Sequence, residues 1–125
     1  MKQTFGQVFN THPLLETHFY NMADRVSGGD YKGGSWNDSE PSEGVLYAKL
    51  NSPQEKIKAT NPAAYVETEV STDAFSIVVN LYFWSDLSFQ LTGELKELAI
   101  KRFHALRDWA VNEHPDAGDI YQLTD

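Results

Sequence analysis

Residues 71–84 narrow most sharply what this chain can fold into. Ser71, Thr72 and Asp73 supply hydroxyl caps and a carboxylate, which the free N–H groups and the positive end of a helix dipole favour at a helix start. The run that follows, Ala74-Phe75-Ser76-Ile77-Val78-Val79-Asn80-Leu81-Tyr82-Phe83-Trp84, is apolar almost all the way round. A helix without a wet face is normally enclosed by its own domain. Extended to Leu91, the stretch is broken by Ser76, Asn80, Ser85, Asp86 and Gln90, which makes it too polar to span a bilayer. The sequence therefore predicts a buried spine laid across the dry face of a sheet, with its aromatic side chains serving as core rather than as a cofactor pocket.

The flanking segments supply candidates for both layers. Residues 12–27 read as a first helix, with Thr11 as N-cap and Pro13 in the first turn, where its missing N–H costs little. Leu14, Leu15, Phe19, Met22, Ala23 and Val26 recur at spacings of three and four, and Gly28 and Gly29 stop the helix. Residues 1–11 are expected as an arm. Gly33 and Gly34 permit the left-handed backbone that other residues resist, and lead into short β pieces at residues 35–38 and 45–50, each carrying a large aromatic, Trp36 and Tyr47. Further pieces follow at 56–60 and, beyond an Asn61-Pro62 turn, at 65–70, where alternation implies a sheet with one wet face. A second long helix occupies residues 94–112 with an inner stripe that includes Leu95, Leu98, Arg102, Leu106 and Trp109. Pro115 ends it and opens a short helical turn over 116–121. The expected fold is α+β: an antiparallel meander sheet of three or four strands packed against an N-terminal helix and two C-terminal helices, in a single domain over 1–125.

Chemistry is hard to find in the chain. It has no cysteine, so disulfides, thiolate metal sites and cysteine nucleophiles are excluded. His12, His18, His104 and His114 form no spacing typical of metal ligands, and His18 has no partner at helical spacing to orient it. His104 and Asp108 stand four apart, as an ordinary surface pair would. Phosphate-binding, dinucleotide and nucleophile-elbow motifs are absent. Glu67 and Glu69 share a strand face but lack a desolvating neighbour that would tune a catalytic carboxyl. With 18 carboxylates against 10 Lys and Arg, the net charge is -8, which opposes binding to a phosphate backbone and leaves room for a basic protein partner. Lys32, Lys49, Lys56 and Lys58 are interrupted by Asp38, Glu40, Glu43 and Glu55 and form no basic stripe. No hydrophobic leader region follows Lys2, and a soluble, cytoplasmic protein is expected, with no membrane association.

Several short blocks, taken together, resemble the antirestriction family typified by ArdB and KlcA. They are Asp30-Tyr31-x-Gly33-Gly34-x-Trp36, Leu46-Tyr47-Ala48, Val70-Ser71-x-Asp73-Ala74, Arg102-Phe103-His104-x-Leu106-Arg107-Asp108, and His114-Pro115-x-Ala117-x-x-Ile120-Tyr121. In order and spacing they run from about residue 14 to the end. The chain departs from the family after Trp36, where Asn37-Asp38-Ser39-Glu40-Pro41-Ser42-Glu43 replaces aromatic residues and a tight Asn-Gly-Gly turn. The resemblance implies a compact α+β protein that protects incoming mobile-element DNA by interfering with the host type I restriction-modification system, with no catalysis and no cofactor. Candidate partner contacts are the carboxylates Asp30, Asp116, Asp119 and Asp125, acting as a local acidic patch on a monomer that forms no stable complex with DNA. Extended mimicry of DNA is disfavoured, because phosphates follow one another every ~3.4 Å of axis per strand, whereas basic residues interrupt the acidic ones here. The competing expectation is a ligand-binding module or enzyme with a groove between sheet and helix lined by Trp36, Tyr47, Trp84 and Trp109.

Overall fold

The computed structural model describes residues 4–61 and 66–124. Among these the elements run α1 (Phe5–Thr11), α2 (Pro13–Ser27), β1 (Ser35–Ser42), β2 (Val45–Asn51), β3 (Lys56–Asn61), β4 (Val66–Ser71), α3 (Thr72–Gln90), α4 (Gly93–Glu113) and α5 (Ala117–Thr124). The all-round apolar helix is the spine, as expected. Ser71 caps α3 by accepting from the Ala74 N–H, and eleven of the helix's side chains are buried, with Phe75, Phe83 and Trp84 fully enclosed. Burying each such side chain is worth about 1.5–3 kcal/mol. α2 and α4 pack on α3, and both hairpins lean on it.

The expected single meander is replaced by two separate antiparallel hairpins, β1-β2 and β3-β4. Side chains occupy the edges along which the two would have joined. Asn80 of α3 accepts from the Ala48 N–H at 2.9 Å and donates to the Ala48 carbonyl at 2.8 Å, while the Ser76 hydroxyl accepts from the Leu50 N–H at 2.9 Å. Four residues of helix rise by about 6 Å and two residues of strand by about 6.7 Å. Ser76 and Asn80 therefore reach alternate residues of β2, as a neighbouring strand would. On β3, the Asp30 carboxylate accepts from the Lys58 N–H at 2.9 Å, on the edge turned away from β4.

Two further differences concern the N-terminal half, and one expectation falls partly outside the described residues. Residues 5–11, read as part of an arm, form α1. Thr4 and Gln7 cap it reciprocally, and the Phe5 N–H donates to Asp38 Oδ1 at 2.8 Å, tying it to β1. The N-cap of α2 is His12 rather than Thr11, whose hydroxyl instead donates back to the Gln7 carbonyl. Of the Asn61-Pro62 turn, Asn61 closes β3, whereas Pro62 and the expected strand opener Tyr65 lie outside the described residues.

Gly34 accounts for the approach of β1 to its partner. Its φ is +128°, and a Cβ there would stand 2.6 Å from the Asn51 carbonyl oxygen. Gly34→Ala is expected to destabilise by about 2 kcal/mol, since both the left-handed backbone and the contact must give. Urea unfolding measures it; a change under about 0.5 kcal/mol would show that the turn relaxes freely. Trp36 then meets Phe19 edge-on at 4.8 Å and donates its indole N–H to Tyr31 Oη at 3.0 Å, anchoring β1 to α2.

Candidate functional site

Three of the short blocks singled out in the sequence converge on one polar cluster. Tyr47 comes from β2, Asp73 from the first turn of α3, and His114 from the cap that ends α4. The Tyr47 hydroxyl donates to Asp73 Oδ1 at 2.6 Å, and His114 Nε2 lies 2.8 Å from Asp73 Oδ2. The backbone N–H of Asp116 donates to His114 Nδ1 at 2.9 Å, so the ring proton sits on Nε2 and is given to Asp73. The Asp116 carboxylate in turn accepts from the Ser71 hydroxyl at 2.7 Å. Trp109 covers the cluster, stacked on Tyr47 at 6.4 Å and edge-on to His114 at 5.7 Å. Tyr47 and His114 are buried, whereas Asp73 retains partial exposure and meets the exposed Lys49 at 3.8 Å.

The electrostatics follow from this geometry. Burial raises the Asp73 pKa, but hydrogen bonds from Tyr47 and His114 and the charge of Lys49 outweigh it, so the carboxyl is held below its usual range. Burial, together with the adjacent carboxylate, drives the Tyr47 hydroxyl far up. With both nitrogens of His114 committed within the fold, the ring holds no free lone pair for proton transfer. The cluster works as a clamp joining β2, α3 and the turn between α4 and α5. Spacing along the sequence could not reveal it, because its contacts bridge 26, 41 and 45 residues.

Of the four candidate acids, Asp30 and Asp116 are engaged in hydrogen bonds of the fold. Asp30 is spent on the β3 edge, and its carbonyl accepts from the Gln54 side-chain amide. Asp116 belongs to the clamp, half-buried. Asp119 stands on α5 and makes no side-chain hydrogen bond or ion pair among the described residues, while Asp125 lies outside them. His18 has the partner that helical spacing did not show: its Nε2 meets Asp86 Oδ2 of α3 at 2.6 Å. No group of three or more His, Cys, Asp or Glu among the described residues is placed to hold a metal. No helix among them is long and apolar enough to cross a membrane.

None of the four aromatic residues expected to line a groove lines the one between α2 and α3. Tyr47 and Trp84 are buried, and Trp36 and Trp109 pack against the core from its margin. Arg102, correctly placed on the inner stripe of α4, lies over the Trp84 ring at 5.8 Å. That open groove, about 430 Å³, has Met22, Val26, Tyr82 and Phe89 among its walls.

A family model described as antirestriction protein matches residues 29–125. That span holds β1 to α5 and the whole clamp. Among solved structures, the chain is similar to one reported for the KlcA and ArdB proteins, described as having a novel fold and antirestriction activity against Type I DNA restriction systems in vivo but not in vitro. The two share 23% identity at a TM-score of 0.74, over 98% of this chain and 92% of that one, a likeness of fold. No curated protein matches the chain.

Proposed function

Because the chain belongs to the antirestriction protein family, we propose that it protects incoming mobile-element DNA by interfering with host type I restriction, through contacts of its surface and without catalysis. The family match across residues 29–125 carries this reading. The non-catalytic part is supported by the clamp, whose titratable groups are turned upon one another to hold three elements together. The similar KlcA and ArdB proteins are described as active in vivo but not in vitro, which agrees with a mode of action that depends on cellular components. With a net charge of -8, the chain acts on protein rather than by holding DNA, as a cytoplasmic monomer without a cofactor. Its C-terminal contact surface centres on Asp119, beside Asp116, with Asp125 at the chain end.

The test is the plating efficiency of unmodified phage on cells with a type I restriction system, with and without the protein. Relief of restriction is expected, and its absence with soluble protein present would refute the proposal. Asp119→Asn, which disturbs no side-chain hydrogen bond or ion pair among the described residues, should lower relief about tenfold, the effect of losing about 1.4 kcal/mol of contact. The thermal midpoint should move little, as for most surface substitutions. Unchanged relief would remove Asp119 from the contact surface.

The aromatic-groove alternative is not favoured, since the side chains it requires are committed to core packing.

A further inference from the structure

The groove between α2 and α3 carries an exposed aromatic and an exposed cation on a floor that belongs to the core. Met22 and Val26 form one wall and Tyr82 and Phe89 the other, enclosing about 430 Å³. An adjoining depression of about 380 Å³ shares Met22 and Arg25 with it. Phe89 is 86% exposed on the lip, and Leu14 of α2 is 84% exposed. Apolar side chains so open to water are common singly, and Phe89 is set apart by lining an open groove, where a docked partner could bury it.

The charges within the groove select among partners. Asp86 is already satisfied: His18 Nε2 lies 2.6 Å from it, and the Gln90 amide donates to both its oxygens at 3.0 Å. Arg25 makes one described bond, from Nη2 to the Met22 sulfur at 3.4 Å, and meets no carboxylate at ion-pair distance among the described residues. Asp24, its neighbour in sequence, lines only the adjoining depression, and adjacent helix residues do not face one another. The groove thus offers apolar surface from Met22, Val26, Tyr82 and Phe89 beside the polar Thr60, Ser85 and Asp86, and a guanidinium with no carboxylate at ion-pair distance among the described residues, the complement of an apolar side chain flanked by a carboxylate.

We infer that this groove docks a protein segment carrying an aromatic or aliphatic anchor next to a carboxylate, and that the contact contributes to interference with restriction. The in vivo part rests on the function proposed for the chain. Being exposed, Phe89 and Arg25 can be replaced without disturbing the core.

The direct test uses the full chain and a blocked leucine-phenylalanine-glutamate tripeptide, followed through the Met22 methyl resonance. Saturable shifts at millimolar concentration are expected. The glutamine version should bind about three- to fivefold more weakly, the effect of one exposed ion pair, and Arg25→Gln should abolish that difference. No shift at Met22, or equal binding of both peptides, would overturn the inference. In the phage assay, Phe89→Ser and Arg25→Glu should each cut relief by about tenfold or more, as loss of an anchor residue does. Full relief by both variants at equal soluble levels would overturn the in vivo part. If wild-type protein itself gives no relief, it is the antirestriction proposal that falls, and the peptide experiment still decides the groove. A wild-type dimer in light scattering that Phe89→Ser converts to monomer would identify the occupant as a second copy and overturn the assignment to an acidic segment.

Discussion

Replacing Asn80 with alanine is expected to destabilise the protein by about 4 kcal/mol, because each buried backbone group left without a partner costs about 1–3 kcal/mol. Two such groups are at stake, the N–H and the carbonyl of Ala48, a residue that is 1% exposed. Water cannot replace the lost amide, since Asn80 is itself fully enclosed. In a chain of this size the loss corresponds to a fall of roughly 15 °C in the thermal midpoint. Ser76→Ala should cost less, about 1–2 kcal/mol, because only the Leu50 N–H loses its acceptor. Calorimetry on both variants decides the matter. If Asn80→Ala moves the midpoint no further than Ser76→Ala, the helix amide is not what completes β2.

Asp73→Ala is the second large effect, about 3 kcal/mol, since hydrogen bonds to a charged group are worth about 1.5–3 kcal/mol each. It strands the Tyr47 hydroxyl and the His114 Nε2–H together, both on buried residues. The wild-type protein should also show the sign of this linkage. The folded pKa of Asp73 is depressed below the ordinary value of 3.8. Its contribution is therefore complete above that value and is lost as the pH falls through the lower, folded one. Urea unfolding from pH 7 down to pH 3 should show an acid-side decline that is shallower in Asp73→Ala. Parallel profiles for the two proteins would place the linkage on other carboxylates.

Much of this architecture was legible. The spine announces itself by composition, its cap by Ser71, and the end of α2 by Gly28, whose φ is +60°. The capping box Thr4-x-x-Gln7 was equally open to view and predicts α1, but apolar periodicity over so short a stretch is too weak to attract attention. Other features were harder to read. Ser76 and Asn80 look like interruptions of an apolar helix, yet four-residue spacing within an otherwise dry helix is the one sign that a strand edge lies against it. His18 with Asp86 and His114 with Asp73 are joined across 68 and 41 residues, distances at which local patterns carry no information. Asp30 and Asp116 were read as exposed acids because charge is normally solvated. Both instead accept hydrogen bonds that hold the chain's course.

The side-chain sealing of β2 bears on how the molecule comes apart. A lone two-stranded hairpin is at best marginally stable in water, and the described residues form two of them with no ladder between. β2 is completed by side chains of α3 and β3 by Asp30, just past the end of α2, so each hairpin depends on groups outside itself, and cutting the chain within α3 is expected to loosen the β1-β2 hairpin along with the core.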